Sequence, residues 1–210
     1  MMNFNNLLNQ ILGTMQKNNR SASHDTPFKF NSFGSGALIA GLASMLMKRK
    51  NTQKLAKAGS AAALGYIAYK GYQNWQQNRN QPPLPKQAFE PVGQTAENHS
   101  RTILRTMIAA AASDGLIDEA EKQSIARESG SDPETAAWLA AEYERPATVE
   151  EIAAAVGNDE ALAAETYLAA RLVCADLSRK EIVFLSRLSQ ALNLDDHLVE
   201  NLEKQLDLAQ

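Results

Sequence analysis

Thr148 is followed three residues later by Glu151, and Ser178 by Glu181. Each pair is a capping box, in which a hydroxyl and a carboxylate satisfy the free N–H groups that open a helix. Punctuation of this kind is dense over residues 99–210. Ala, Leu, Glu and Ile dominate there, and apolar and polar residues show no sustained alternation of the kind a strand needs. Read through its caps, the segment divides into seven helices. Ser100 precedes the first, which runs to about Ala112. Asp118 and Glu121 form a further capping box, opening a second helix that ends near Gly130. Asp132–Pro133 starts a third, because Pro is favoured at the first helical position, and Pro146 ends it. The fourth is capped by Thr148 and closed by Gly157. The fifth covers roughly Asp159–Ala175, the sixth runs from Ser178 to near Asn193, and the seventh begins at Asp195. Loops this short predict a compact all-α bundle of about seven helices.

The rest of the chain has a different chemistry. Residues 1–98 carry 11 Lys and Arg against 3 Asp and Glu; residues 99–210 carry 10 against 21. The overall charge of −3 therefore hides a basic half joined to an acidic one. A basic half suits an anionic surface, and an acidic half suits cations or a basic partner. Within residues 1–32, Phe4, Leu7, Leu8, Ile11, Leu12 and Met15 recur at helical spacing, which predicts a short amphipathic helix followed by a flexible linker. A helix of that length needs a protein partner or a bilayer surface to be stable.

Residues 33–75 hold two apolar runs, Phe33–Met47 and Ala58–Tyr69, separated by Lys48, Arg49, Lys50, Lys54 and Lys57. Both are shorter than the ~20 residues of a straight membrane-crossing helix. Both are rich in small residues, with Gly36 and Gly41 in one and Gly59 and Gly65 in the other. Such spacing lets two helices approach closely, as helices do in lipid. Tyr66, Tyr69, Tyr72 and Trp75 gather at one end like an interfacial aromatic belt. The expectation is a helical hairpin that associates with membrane lipid, with 55–75 the better candidate if one segment spans. The alternative is a soluble hairpin or a self-associating stretch that makes homo-oligomers. Residues 76–98 contain Pro82, Pro83, Pro85 and Pro91 and read as an extended linker.

Chemistry-bearing motifs are few. Asp114, Asp118 and Glu121 crowd around one turn, and a fainter echo follows at Asp176 and Glu181. Carboxylate oxygens in such a set suit Ca²⁺ or Mg²⁺. Capping accounts equally for Asp118 and Glu121, and turn chemistry for Asp114 beside Gly115. The alternating ligand spacing of an EF-hand is missing. His24, His99 and His197 show no metal-ligand spacing, and no P-loop, dinucleotide fingerprint or nucleophile arrangement occurs. The single cysteine, Cys174, lies in an apolar helical pattern and reads as a buried thiol. The basic cluster at 48–57 has no DNA-binding fold around it, so nucleic acid is not an expected partner.

The run Met107–Glu121, MIAAAASDGLIDEAE, resembles the signature of TerB-like (tellurite-resistance) domains. The arrangement over residues 33–210 is similar to the YebE-type family of uncharacterised bacterial inner-membrane proteins. It includes the Ala68–Trp75 segment, AYKGYQNW, and the helix Glu165–Ala169. The resemblance implies a TerB-like bundle at 99–210, cytoplasmic and attached to the inner membrane, with an acidic face for a divalent metal at Asp114, Asp118 and Glu121. The second acidic turn departs from the pattern, carrying Arg179 and Lys180 where an Asp-rich segment is usual. Together these features predict a non-enzymatic, membrane-associated protein. Its helical domain would act as an interaction or metal-sensing module for an unknown protein partner, in an envelope or stress response. A soluble self-associating scaffold is the alternative.

Overall fold

The computed structural model describes residues 2–20, 59–77, 83–113, 133–174 and 177–208. These form eight α-helices and one 3₁₀ turn, with no strand among the described residues. The helices are α1 (Phe4–Arg20), α2 (Ala61–Gln76), α3 (Gly93–Ala112), α4 (Pro133–Glu144), α5 (Val149–Val156), α6 (Glu160–Val173), α7 (Arg179–Ala191) and α8 (Asp196–Leu208); the 3₁₀ turn is Lys86–Phe89. The all-α expectation holds. Six of the seven helices expected in 99–210 fall on described residues; the second, from Asp118 to about Gly130, lies outside them.

α6 is the centre. Every residue from Ala161 to Val173 is buried, and a helix buried all round must have neighbours on every side. The local signals place its ends and those of α5 and α7. Thr148 Oγ1 accepts the Glu151 N–H at 3.2 Å while Glu151 Oε2 accepts the Thr148 N–H at 3.0 Å. Ser178 and Glu181 repeat the exchange at 3.3 and 2.7 Å. Gly157 closes α5 at φ +61, in the left-handed region where a side chain is strained. Asn193, at φ 52, ends α7, one of the few non-glycine types that tolerate this.

The N-terminal helices lie inside the same core. Leu7, Leu8, Ile11 and Leu12 form one buried face of α1 that joins Leu64, Ile67, Ala68 and Tyr72 of α2 and the apolar residues of α3 and α6. The partner that the amphipathic helix needs is therefore protein. Its first turn is capped from a distance: Glu97 Oε2 on α3 accepts the N–H groups of Phe4 (2.6 Å) and Asn5 (3.3 Å). A carboxylate at that end also complements the helix dipole. Asn9 in turn accepts the Ala61 N–H that opens α2 (2.8 Å). Phe4 meets Trp138 of α4 edge to face, with centroids 5.0 Å apart.

α2 carries the end of the second Gly/Ala run, and its aromatic cluster turns mostly inward. Tyr72 is buried and donates to Glu160 Oε2 at 2.6 Å. Trp75 Nε1 donates to Asp195 Oδ1 at 3.1 Å, and Tyr69 packs edge-on against Phe89 at 5.7 Å. Tyr66 alone of the four is largely exposed. No helix among the described residues is long and apolar enough to cross a membrane. The Pro-rich stretch is not extended throughout. Pro85 leads into the 3₁₀ turn, which buries Phe89, and α3 begins at Gly93, ahead of the start expected after Ser100. A buried aromatic in the linker anchors the turn, which periodicity over four residues does not reveal.

Candidate functional site

Polar residues on a helix buried all round must find their partners inside the protein. α6 carries such a residue in Glu165, 3% exposed. The helix is opened by Asp159, whose Oδ1 accepts the Leu162 N–H at 2.9 Å. α3 presents His99 to both acids. Its Nε2 lies 3.3 Å from Asp159 Oδ2, and its Nδ1 lies 3.7 Å from Glu165 Oε2. His99 and Glu165 form part of the wall of a cleft of about 480 Å³ between α1, α2, the 3₁₀ turn and α3. Asn5, Asn9 and Ser100 add polar groups to that wall, and Ala61, Phe89 and Ile103 add apolar ones. Gly65 lets α2 press onto the Phe89 carbonyl and the Glu165 carboxylate, contacts that leave no room for a Cβ.

Burial opposes the charge on His99, yet the carboxylates of Glu165 and Asp159 together outweigh it and hold the imidazole above its ordinary pKa. Burial pushes the Glu165 carboxyl above the usual carboxylate range, with the nearby imidazole pulling the other way. Both groups bind protons more tightly in the folded state, so their contributions have the same sign. That of His99 is full below 6.5, its unfolded value, and is lost as pH rises through the higher folded value. That of Glu165 begins to fall above 4.5. Denaturant midpoints taken from pH 5 to pH 9 are expected to fall across this window, and His99→Gln to flatten the fall above 6.5. An unchanged slope in that variant would show that the cluster does not control it.

A second polar group closes the far end of α6. Tyr167 Oη donates to Glu203 Oε1 of α8 at 2.8 Å, and Arg171 Nε donates to the same oxygen at 3.2 Å. Arg171 Nη1 also donates to the Cys174 carbonyl at 3.1 Å, satisfying a helix-end acceptor. Burial raises the Tyr167 phenol well above its ordinary value. Cys174 is a buried thiol, as its apolar pattern predicts.

The residues singled out from the sequence fall as follows. Asp114, Asp118, Glu121 and Asp176 lie outside the described residues, as do Gly36 and Gly41. Glu181 is 1% exposed, and its Oε2 is committed to the capping box of α7. No group of three or more His, Cys, Asp or Glu suited to a metal occurs among the described residues. Gly59 precedes the Ser60 cap of α2, Gly65 sits in the core contact just given, and Trp75 binds the residue that caps α8. Sequence reading passed over His99 and Glu165 as a pair. A signal for Glu165 was present: it is the one carboxylate in the mostly apolar Ala161–Val173 stretch, and a carboxylate is rarely fully buried without a partner.

The chain is thus an all-helical bundle around a buried central helix, with a histidine–carboxylate cluster beside it, and the family it matches is TerB-like. The chain belongs to an uncharacterised bacterial family, the proteins of unknown function DUF533, whose model matches residues 32–206. No curated protein and no solved structure matches it.

Proposed function

We propose that this chain is a non-enzymatic, membrane-associated bacterial protein of the YebE type, whose helical bundle serves as an interaction module. The observation that carries this reading is the outer face of α7. Ile182 and Val183 are 52% and 54% exposed, and Arg179, Lys180 and Arg187, the last paired with Glu150 at 3.0 Å, surround an adjoining cleft of about 450 Å³ lined also by Phe184 and Val149. Exposed β-branched residues rimmed by cations suit a surface that is anionic outside and apolar beneath, as a phospholipid headgroup layer is. Lys48, Arg49, Lys50, Lys54 and Lys57 supply the same chemistry in the Gly/Ala-rich region. The reactive side chains support a non-catalytic role. Both His99 nitrogens face carboxylates, Cys174 is buried, and the Tyr167 phenol is held to Glu203. A buried thiol and a phenol held in this way are withdrawn from nucleophilic and general acid–base work.

In the same reading, Asp114, Asp118 and Glu121 offer oxygen ligands to Ca²⁺ or Mg²⁺. Glu181 stands outside that set because its carboxylate caps α7. Calorimetry with Ca²⁺ on the full chain and on an Asp114→Ala, Asp118→Ala variant tests this part. The membrane part is tested by flotation of the full chain with vesicles of anionic phospholipid and of phosphatidylcholine alone. Binding is expected only to the anionic vesicles. Ile182→Gln with Val183→Gln is expected to weaken it by about tenfold, a loss of about 1.4 kcal/mol. Absence of binding to anionic vesicles, or equal binding by the variant, overturns this reading.

A further inference from the structure

We infer that the cleft between α1, α2 and α3 is a binding site for a small alkylammonium ion, its protonated amine against Glu165 and its apolar stem on Phe89 and Ile103. The first observation is an acceptor left over. Within the cleft wall, Asn5 Nδ2 donates to Ser100 Oγ at 3.2 Å, Asn9 Nδ2 donates to Asn5 Oδ1 at 2.9 Å, and Asn9 Oδ1 accepts the Ala61 N–H at 2.8 Å. These side chains satisfy one another. The side chain of Glu165 is 4% exposed, and the one described donor facing its carboxylate is His99. The nearest cationic group, His99 Nδ1, is 3.7 Å away, beyond hydrogen-bond reach. A buried carboxylate held by one contact of that length is costly, and a ligand that brings an N–H lowers the cost.

The second observation is charge. Asp159 and Glu165 face a single imidazole, so with both carboxylates ionised even protonated His99 leaves one negative charge over. Glu90, also on the cleft wall, already pairs with Lys86 at 2.9 Å. No Lys or Arg is among the described residues that line the cleft. A monocation balances the cluster, and an anion is repelled. The third observation is shape. About 480 Å³ is far more than an ammonium ion needs and lies in the range of small-molecule sites. Phe89, Ile103 and Ala96 give the cleft an apolar wall, which suits a hydrocarbon stem. Ala62 and Val92 stand exposed at the rim, so the cleft opens to solvent there.

The test is an NMR titration of the full chain at neutral pH with n-butylammonium chloride, following the His99 ring resonances. A saturable shift is expected, and none with n-butanol, which has the same stem without the charge. Glu165→Gln keeps the shape, removes the charge, and is expected to weaken binding by about tenfold or more. Ala62→Leu narrows the exposed rim without touching the charged cluster and is expected to weaken binding as well. No saturable shift, an equal response to n-butanol, or full affinity in a folded Glu165→Gln variant overturns the assignment. Should Glu165→Gln not fold, unchanged affinity in Ala62→Leu overturns it alone.

Discussion

Gly65→Ala is expected to destabilise the bundle by about 3 kcal/mol, the upper end of what an extra methyl costs in a packed interior. A Cβ at that position overlaps the Phe89 carbonyl oxygen, lies 3.3 Å from its carbon and stands 3.0 Å from Glu165 Oε1. The main obstacle is backbone, which has no rotamer to escape into. That backbone is itself held in the 3₁₀ turn by Ala88 N–H to Pro85 O at 3.0 Å and Glu90 N–H to Gln87 O at 3.2 Å. The methyl must push α2 away from the turn or the turn away from α2, and either move opens the contact between Tyr69 and Phe89. Gly13→Ala in α1 is the comparison. Its nearest atom is the Gly59 carbonyl oxygen at 3.7 Å, an ordinary contact, and alanine in a helix interior gains about 0.5–1 kcal/mol over glycine. The two substitutions therefore shift the denaturant midpoint in opposite directions at unchanged m. A Gly65→Ala protein as stable as the parent would mean that the close approach of α2 to the turn is wrong.

The second large effect concerns α1. Leu8→Ala is expected to cost about 2–5 kcal/mol, the range for a truncated leucine in a close-packed core. Leu8 is 0% exposed on the buried face of α1, the helix that packs on α3 and α2. At this chain length each kcal/mol moves the midpoint by about 2–4 °C, so thermal unfolding followed by far-UV circular dichroism reads the change easily. The experiment separates two architectures. If Phe4–Arg20 were an appended amphipathic helix lying on a lipid surface, the truncation would leave the unfolding of the bundle where it was. A single transition displaced to lower temperature is the result expected of a helix that belongs to the core.

The parts of this protein legible in the sequence are those whose free energy is local. Thr148 with Glu151, Ser178 with Glu181, Asp159 at the start of α6 and Gly157 at the end of α5 all act within a few residues, and each sits where its type and spacing predict. Glu97 capping α1 acts across 93 positions, and Asp195 holding Trp75 acts across 120. No periodicity or cap pattern links such residues. The candidate site was illegible for the same reason, since His99 and Glu165 are brought together only when α3 packs on α6. The acidic residues that drew attention in the sequence are a contrasting case. Their crowding is visible in one stretch of chain, and Glu181, the described member, is used by its own helix.

What the sequence determined by itself was an all-helical chain with helix ends placed by side chains that bond the nearest free N–H groups. What only the tertiary structure decided was the neighbour of each apolar face. Phe4, Leu7, Leu8, Ile11 and Leu12 would be written the same way for a bilayer or for a protein core, because removing apolar surface from water has no direction and names no partner. Gly65 likewise permits a close approach without saying of what. The bundle answers both: the face of α1 meets α3 and α2, and the glycine meets the carbonyl of Phe89.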